Sequence, residues 1–278
     1  EEGEAVDISG MRLDDAIELI KGPKGTTVYL TVKRTNGVVE EISVIRDVVE
    51  LEESYAKSVK ISDEEYEYGL IHLPKFYVDF DDYNQRNAAI DVKAELMRLQ
   101  KEGVEGVVLD LRDNGGGSLQ TVVDMAGYFI DEDVVVQECM AGDRREVLKD
   151  HEKGILYDGP LVVLVNELSA SASEILAAAL QDYGRAVIIG SERTYGKGTV
   201  QNVIPLSNII RSNELGDLGA LKITTQKFYR VSGGSTQLEG VSSDIIIPDR
   251  YTYIDVGERD QDNPLSWDRI QAATFTPW

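Results

Sequence analysis

"PLVVLVNELSASASEILAAALQDYGRAVIIG", Pro160 to Gly190, is the stretch on which the fold turns. It opens with LVVLV, an unbroken apolar run with the length and β-branched content of a strand buried on both faces. An Ala-rich run of helical length follows from Ser171, and Gly184 stops it. AVIIG then reads as a second buried strand. A strand, a helix and a strand at this spacing make a βαβ unit, and hence a parallel pair.

The same alternation extends upstream. YGLIHL (68–73) and VEGVVLDLR (104–112) read as strands, and QRNAAIDVKAELMRLQKEG (85–103) and LQTVVDMAGYFI (119–130) as helices. The expected fold class is therefore α/β, with a core of βαβ units. The chain turns β-rich from Leu221 through LKITTQKFYR. Near the start, a short amphipathic helix presents Leu13, Ile17 and Ile20. GPKG breaks it before the alternating strand TTVYLTVKR, and Asn36-Gly37 signals a hairpin into VVEEISVIRD. That makes a small α+β module. Asp47 to Ser62 reads as its connection to the larger part.

Composition narrows the function. Apolar residues make up 42% and charged residues 28%, as in ordinary globular proteins. Against 28 Lys+Arg stand 50 Asp+Glu, for a formal charge of -22. Such a field repels phosphate backbones and anionic lipid, so neither a nucleic acid nor a membrane surface is an expected partner. No apolar run is long enough to span a membrane. The single cysteine, Cys139 in VVVQECM, excludes an internal disulfide and a multi-cysteine metal site, and reads as a core filler. The opening EEGEAVDISG carries no signal peptide and reads as the middle of a domain, so the chain is expected to begin inside a longer precursor.

Ser169, Ser171 and Ser173 stand just before the Ala-rich helix. Ser171-x-x-Glu174 fits a capping box, in which Ser171 is only an N-cap and Glu174 bonds back to its backbone. Taken alone, the local pattern favours that structural role. A helix start also suits a nucleophile, because its free N–H groups and dipole stabilise a nearby anion. The two histidines offer little as bases: His72 alternates with apolar residues like a packed strand position, and His151 sits in a charged loop. Lys197, between Gly196 and Gly198 after the strand AVIIG, is the other possible partner. Glycines on both sides allow a close approach, and burial would favour the neutral amine that acts as a base. The plainer alternative is a surface turn carrying a solvated lysine. Walker A fails, since five residues separate Gly190 from Gly196 and Gly198 stands where Ser/Thr is needed. LDLRDNGGGS (109–118) puts three glycines at another strand end, where backbone N–H groups can cradle an anion.

Six segments in order carry a resemblance: LDLRDNGGG, VNELSASASEI, ALQDYGRA, TYGKGTVQ, QKFYRVSGGSTQLEGVSSDIIIP and NPLSWDRI. Together they resemble the C-terminal processing peptidases, and above all their bacterial tail-specific members, over nearly the whole chain. The resemblance implies a ClpP/crotonase-like peptidase core over residues 49–250. Residues 1–48 would be the C-terminal part of a PDZ domain, with the helix Arg12 to Lys21 as one wall of its peptide groove, and residues 251–278 an extension. It also implies a serine endopeptidase with a Ser-Lys dyad: Ser171 the nucleophile, Lys197 the base, and Gln201 orienting the lysine amine. The oxyanion donors would be the N–H groups of Ala172 and of Gly116, with Gly117 next in line. Asp182 would support the site, or else pair with Arg185 or Arg112. Substrates would be unfolded or tagged polypeptides with apolar C-termini, an adaptor or lipoprotein a further partner, and the location periplasmic. No cofactor or metal is implied. Two departures stand out: the loop GSERTYGK is one residue longer than the family spacing, and the first half of the PDZ domain is absent. The alternatives are a non-catalytic peptide- or ligand-binding protein on the same fold, or a chain inactive without a complete PDZ domain.

Overall fold

The computed structural model describes residues 5–47, 52–80, 82–131, 133–140, 142, 144–210 and 218–278. The chain divides into two compact units, Glu1–Glu52 and Glu53–Trp278. The expected boundary at residues 48 and 49 lies outside the described residues.

In the smaller unit, helix α1 (Leu13–Ile20) precedes an antiparallel hairpin of β1 (Thr27–Lys33) and β2 (Val39–Ile45). The hairpin turns at Asn36-Gly37 as its sequence signals: Gly37 takes φ +84 and Val38 N–H donates to Asn36 Oδ1 at 3.0 Å. The Arg46 side chain ties the helix end to the hairpin, donating to Ile20 O at 2.7 Å and Thr26 Oγ1 at 2.9 Å.

The larger unit holds two sheets. The first contains β3 (Lys57–Ser62), β4 (Glu67–His72), β5 (Gly106–Asp110), β8 (Leu161–Val165), β9 (Val187–Gly190) and β12 (Ile245–Ile246), side by side in that order. All neighbours are parallel except β3, which runs antiparallel to β4. The second sheet is antiparallel, with β10 (Thr199–Pro205), β11 (Ala220–Tyr229), β6 (Val134–Met140) and β7 (Arg144–Lys149) in that order.

Helices α2 (Ala88–Lys101), α3 (Leu119–Ala126) and α4 (Ala172–Asp182) make the crossovers and pack in a row, α3 between the other two. Helix α2 is capped by Asn87, whose side chain accepts from Ile90 N–H at 3.0 Å, and it buries Ala88, Val92, Leu96 and Leu99 at helical spacing. Helix α4 buries Ala172 through Leu180 without interruption. A helix covered on all sides is expected to be largely apolar all round; here Ser173 and Glu174 in the first turn are buried with their hydrogen bonds made, and the alanines let neighbours approach closely.

Three sequence expectations change. The supposed connection before Ser62 contains β3, an edge strand whose Val59 and Ile61 are exposed, so it lacked the buried alternation that marks a strand. His72 ends β4 with its side chain half exposed, 3.8 Å from Asp110, instead of packed. Cys139 is only partly buried, on β6 between Arg145 of β7 and Lys227 of β11.

Candidate active site

Because β5, β8 and β9 are adjacent and parallel, the loops leaving their carboxyl ends converge at one edge of the sheet. Such edges are where α/β proteins build sites. The loop after β5 carries Gly115 to Gly117, the loop after β8 carries the three serines, and the loop after β9 carries Lys197.

The serines separate into two kinds. Ser169 and Ser173 are fully buried. Ser169 Oγ donates to Leu111 O at 2.8 Å, and Ser173 Oγ donates to Asn114 O at 2.9 Å. Both hydroxyls therefore stitch the serine turn to the loop after β5. Ser171 is half-buried and faces a cavity of about 400 Å³. It is the N-cap residue of α4, and its N–H donates to Glu174 Oε2 at 2.8 Å, the carboxylate half of the capping box. Its backbone is not that of an ordinary cap, which is extended. Ser171 has φ 56 and ψ -112, a strained conformation for a non-glycine residue, costing about 1–3 kcal/mol. Strained strand-to-helix turns of this kind lift a nucleophile out of the backbone.

The glycine loop is held by Asn114, which is fully buried. Asn114 Nδ2 donates to Leu73 O at 2.8 Å, its Oδ1 accepts from Gly116 N–H at 2.9 Å, and its O accepts from Ala170 N–H at 3.0 Å. Gly116 has φ +98, and a Cβ there would lie 2.8 Å from Ser171 Cβ and 3.0 Å from Ala172 N. A Cβ on Gly117 would fall 2.1 Å from Phe76 O. Only glycine permits this approach to the serine turn.

Glycines also let the lysine loop pack tightly, here against Leu238 and Gln237. A Cβ on Gly196 would lie 3.0 Å from Leu238 C, and one on Gly198 would lie 2.6 Å from Gln237 N. Lys197 is half-buried, lines the same cavity as Ser171, and donates from Nζ to Gln201 Oε1 at 3.4 Å. Burial lowers its pKa first, and the charge of Lys222, on the same cavity wall, lowers it further; Glu258 and Glu174 oppose them. With its extra residue, the loop still brings Lys197 to the cavity that Ser171 lines.

Glu174 was legible in sequence only as a cap. It is 0% exposed, and its carboxylate also accepts from Thr194 Oγ1 at 2.6 Å, Gly196 N–H at 2.7 Å and Lys197 N–H at 2.9 Å. Burial pushes its pKa up to about 7 against the pull of those donors. Nothing in its local pattern signals the contacts to residues 194–197, which only the adjacency of β8 and β9 creates.

Asp182 stands at the opposite end of α4, ~16 Å along the axis from Ser171 by helical rise. It accepts from Arg230 Nη2 at 2.6 Å and Nε at 3.1 Å, and from Ser232 Oγ at 3.0 Å. Its ion-pair partner is Arg230, not Arg185 or Arg112. Arg185 is buried against the carbonyls of Phe129, Tyr157 and Gly159, and Arg112 pairs with Asp110. Neither histidine lines the cavity at Ser171, and no described group of His, Cys, Asp and Glu could hold a metal ion.

A strained serine turn, a glycine loop and a half-buried lysine thus meet at one sheet edge around a single cavity. Residues 67–247 match peptidase family S41, and the chain belongs to that family. It is 42% identical over 276 residues to the tail-specific protease of Haemophilus influenzae, covering 98% of this chain and 38% of that protein. It is 35% identical over 257 residues to the carboxy-terminal-processing protease of Bartonella bacilliformis, covering 90% of this chain and 54% of that one. Among solved structures it is similar to a photosystem II D1 C-terminal processing protease, at 27% identity and a TM-score of 0.57 over 86% of this chain and 60% of that one. A putative S41 protease from Bacteroides fragilis, 20% identical with a TM-score of 0.59 over 82% of this chain and 62% of that one, shares the fold. The chain thus spans between about a third and about a half of these curated relatives. No helix among the described residues is long and apolar enough to cross a membrane.

Proposed function

We propose that this chain carries the catalytic centre of a serine endopeptidase of the C-terminal processing, tail-specific kind, working through a Ser171–Lys197 dyad. The observation that carries the reading is a single one. Ser171, on a strained helix-start turn, shares one cavity with Lys197, Gln201, Ala172 and the Gly115 to Gly117 loop.

In the reaction, neutral Lys197 takes the Ser171 proton as Oγ bonds to the scissile carbonyl carbon. The carbonyl oxygen becomes an oxyanion that faces backbone N–H donors, each worth about 3 kcal/mol. Ala172 supplies one. Gly116, the glycine favoured from sequence, already donates its N–H to Asn114 Oδ1 at 2.9 Å, so the second glycine donor in this reading is Gly117. Collapse breaks the C–N bond, and the Lys197 ammonium gives its proton to the leaving amine. Lys197 then takes a proton from water, whose oxygen attacks the acyl ester, and returns it to Oγ as the C–O bond breaks and Ser171 leaves as the hydroxyl. Gln201 keeps the amine aimed through its 3.4 Å hydrogen bond.

Leu119, Ile175 and Phe228 line the same cavity, which suits apolar substrate side chains. The smaller unit is read as part of a PDZ domain with α1 as a groove wall, the substrates as unfolded or tagged polypeptides, an adaptor or lipoprotein as a further partner, and the location as periplasmic. The test is cleavage of an unfolded protein. Ser171→Ala and Lys197→Ala each abolish it with the fold intact, and full activity in either variant refutes the dyad.

A further inference from the structure

Glu174 belongs to neither half of the dyad, yet both halves are bonded to it. A capping box accounts only for the bond from Ser171 N–H. The other three donors come from the lysine loop, 20 to 23 residues further on: Thr194 Oγ1, Gly196 N–H and Lys197 N–H. One oxygen, Oε2, takes both Ser171 N–H at 2.8 Å and Lys197 N–H at 2.9 Å. The other, Oε1, takes Thr194 and Gly196. Among the described residues no cation pairs with this carboxylate, which is 0% exposed.

Desolvating a carboxylate costs several kcal/mol, so a fully buried one is a poor choice for stability alone. An exposed serine or asparagine caps a helix at no such cost. Four donors converging on one carboxylate do something a cap does not: they fix the position of two loops relative to each other. They also hold Ser171 in a backbone conformation that it would otherwise leave.

We propose that Glu174 is a positioning residue whose carboxylate clamps the Ser171 turn and the Lys197 loop into one rigid unit, keeping Oγ and Nζ in reacting register. The proposal rests on the dyad reading. Glutamine does not fully replace the carboxylate, because its NH₂ would face the N–H groups of Ser171 and Lys197 on one side, or Gly196 N–H beside the Thr194 hydroxyl on the other. Aspartate keeps the charge, but its stem is one methylene short of the lysine loop.

The experiment measures kcat, KM and thermal midpoint for Glu174→Gln and Glu174→Asp, with Ser171→Ala and Lys197→Ala as controls, on an unfolded protein substrate. A displacement of about 1 Å costs on the order of a hundredfold in rate. The expected result is therefore a kcat lowered about a hundredfold, with KM nearly unchanged in the folded variants. A purely structural glutamate would lower the midpoint and leave kcat per folded molecule intact. A loss smaller than roughly tenfold in both variants, with the two controls dead, overturns the clamp alone. Activity in a control overturns the dyad and leaves the clamp without a purpose.

If neither Glu174 variant folds, amide exchange in the wild-type chain decides. Clamped amides of Ser171, Gly196 and Lys197 open together, with protection agreeing within about tenfold. Protection differing by more than that between Ser171 and Lys197 overturns the proposal.

Discussion

Gly116→Ala puts a methyl group where the serine turn and the glycine loop touch. The added Cβ would lie 2.8 Å from Ala170 O, 2.8 Å from Ser171 Cβ and 3.0 Å from Ala172 N. All three atoms belong to the turn that carries Ser171, and two are backbone, so they yield only if the turn moves. The residue also has φ +98, which costs an L side chain about 1–2 kcal/mol. Overpacking adds about 1–3 kcal/mol, for a total near 3 kcal/mol. At about 2–4 °C per kcal/mol, the thermal midpoint falls by about 6–12 °C. The chemical effect is larger. Relief of the clash moves Ser171 Oγ and Ala172 N–H together, and kcat falls about a hundredfold or more. Calorimetry and steady-state cleavage of an unfolded protein, both below the variant's midpoint, measure the two effects. A Gly116→Ala protein with wild-type kcat would refute the placement of the glycine loop against a catalytic Ser171.

Ser169→Ala and Ser173→Ala remove hydroxyls that are buried and bonded to carbonyls of the loop after β5, so each costs about 1–3 kcal/mol in denaturant unfolding. Ser171→Ala costs less, and a larger loss for Ser171 than for the other two would contradict the division of roles. Asp182→Asn strips a charge from a mostly buried pair with Arg230 and lowers stability by about 3 kcal/mol, while kcat of the folded enzyme holds. A catalytic loss with unchanged stability would assign Asp182 a part in the chemistry beyond the supporting role expected of it. Lys222→Gln removes a charge that helps lower the Lys197 pKa. In the proposed dyad the lysine acts as the neutral amine, so its raised pKa moves the acid limb of kcat/KM to higher pH, and rates converge in alkali. An unmoved limb would show that burial alone tunes the base.

Much of this site was legible in the chain because it depends on residues that have few other reasons to be there. Alternating apolar runs and helices between Tyr68 and Gly190 announced a parallel sheet, and strand order then followed sequence order from β3 to β12. Glycines beside Lys197 and before Ser118 signalled close approaches, and those approaches are made. What stayed hidden is non-local. Edge strand β3 exposes its apolar residues and so lacks a core-facing pattern. The ion pair of Asp182 with Arg230 joins positions 48 residues apart, and no periodicity marks it. Glu174 matched a local cap so well that its three contacts to the lysine loop had no separate signal. Asn114 drew no reading at all beside the glycines that follow it, although its side chain holds the glycine loop and its carbonyl accepts from Ala170 N–H.

Labelling with a fluorophosphonate, which traps a serine activated as a nucleophile, tests the dyad most directly. Peptide mapping of the labelled chain is predicted to place the adduct on Ser171, with none on Ser169 or Ser173 and none in the Lys197→Ala variant. An adduct on another serine, or undiminished labelling without Lys197, would contradict the account.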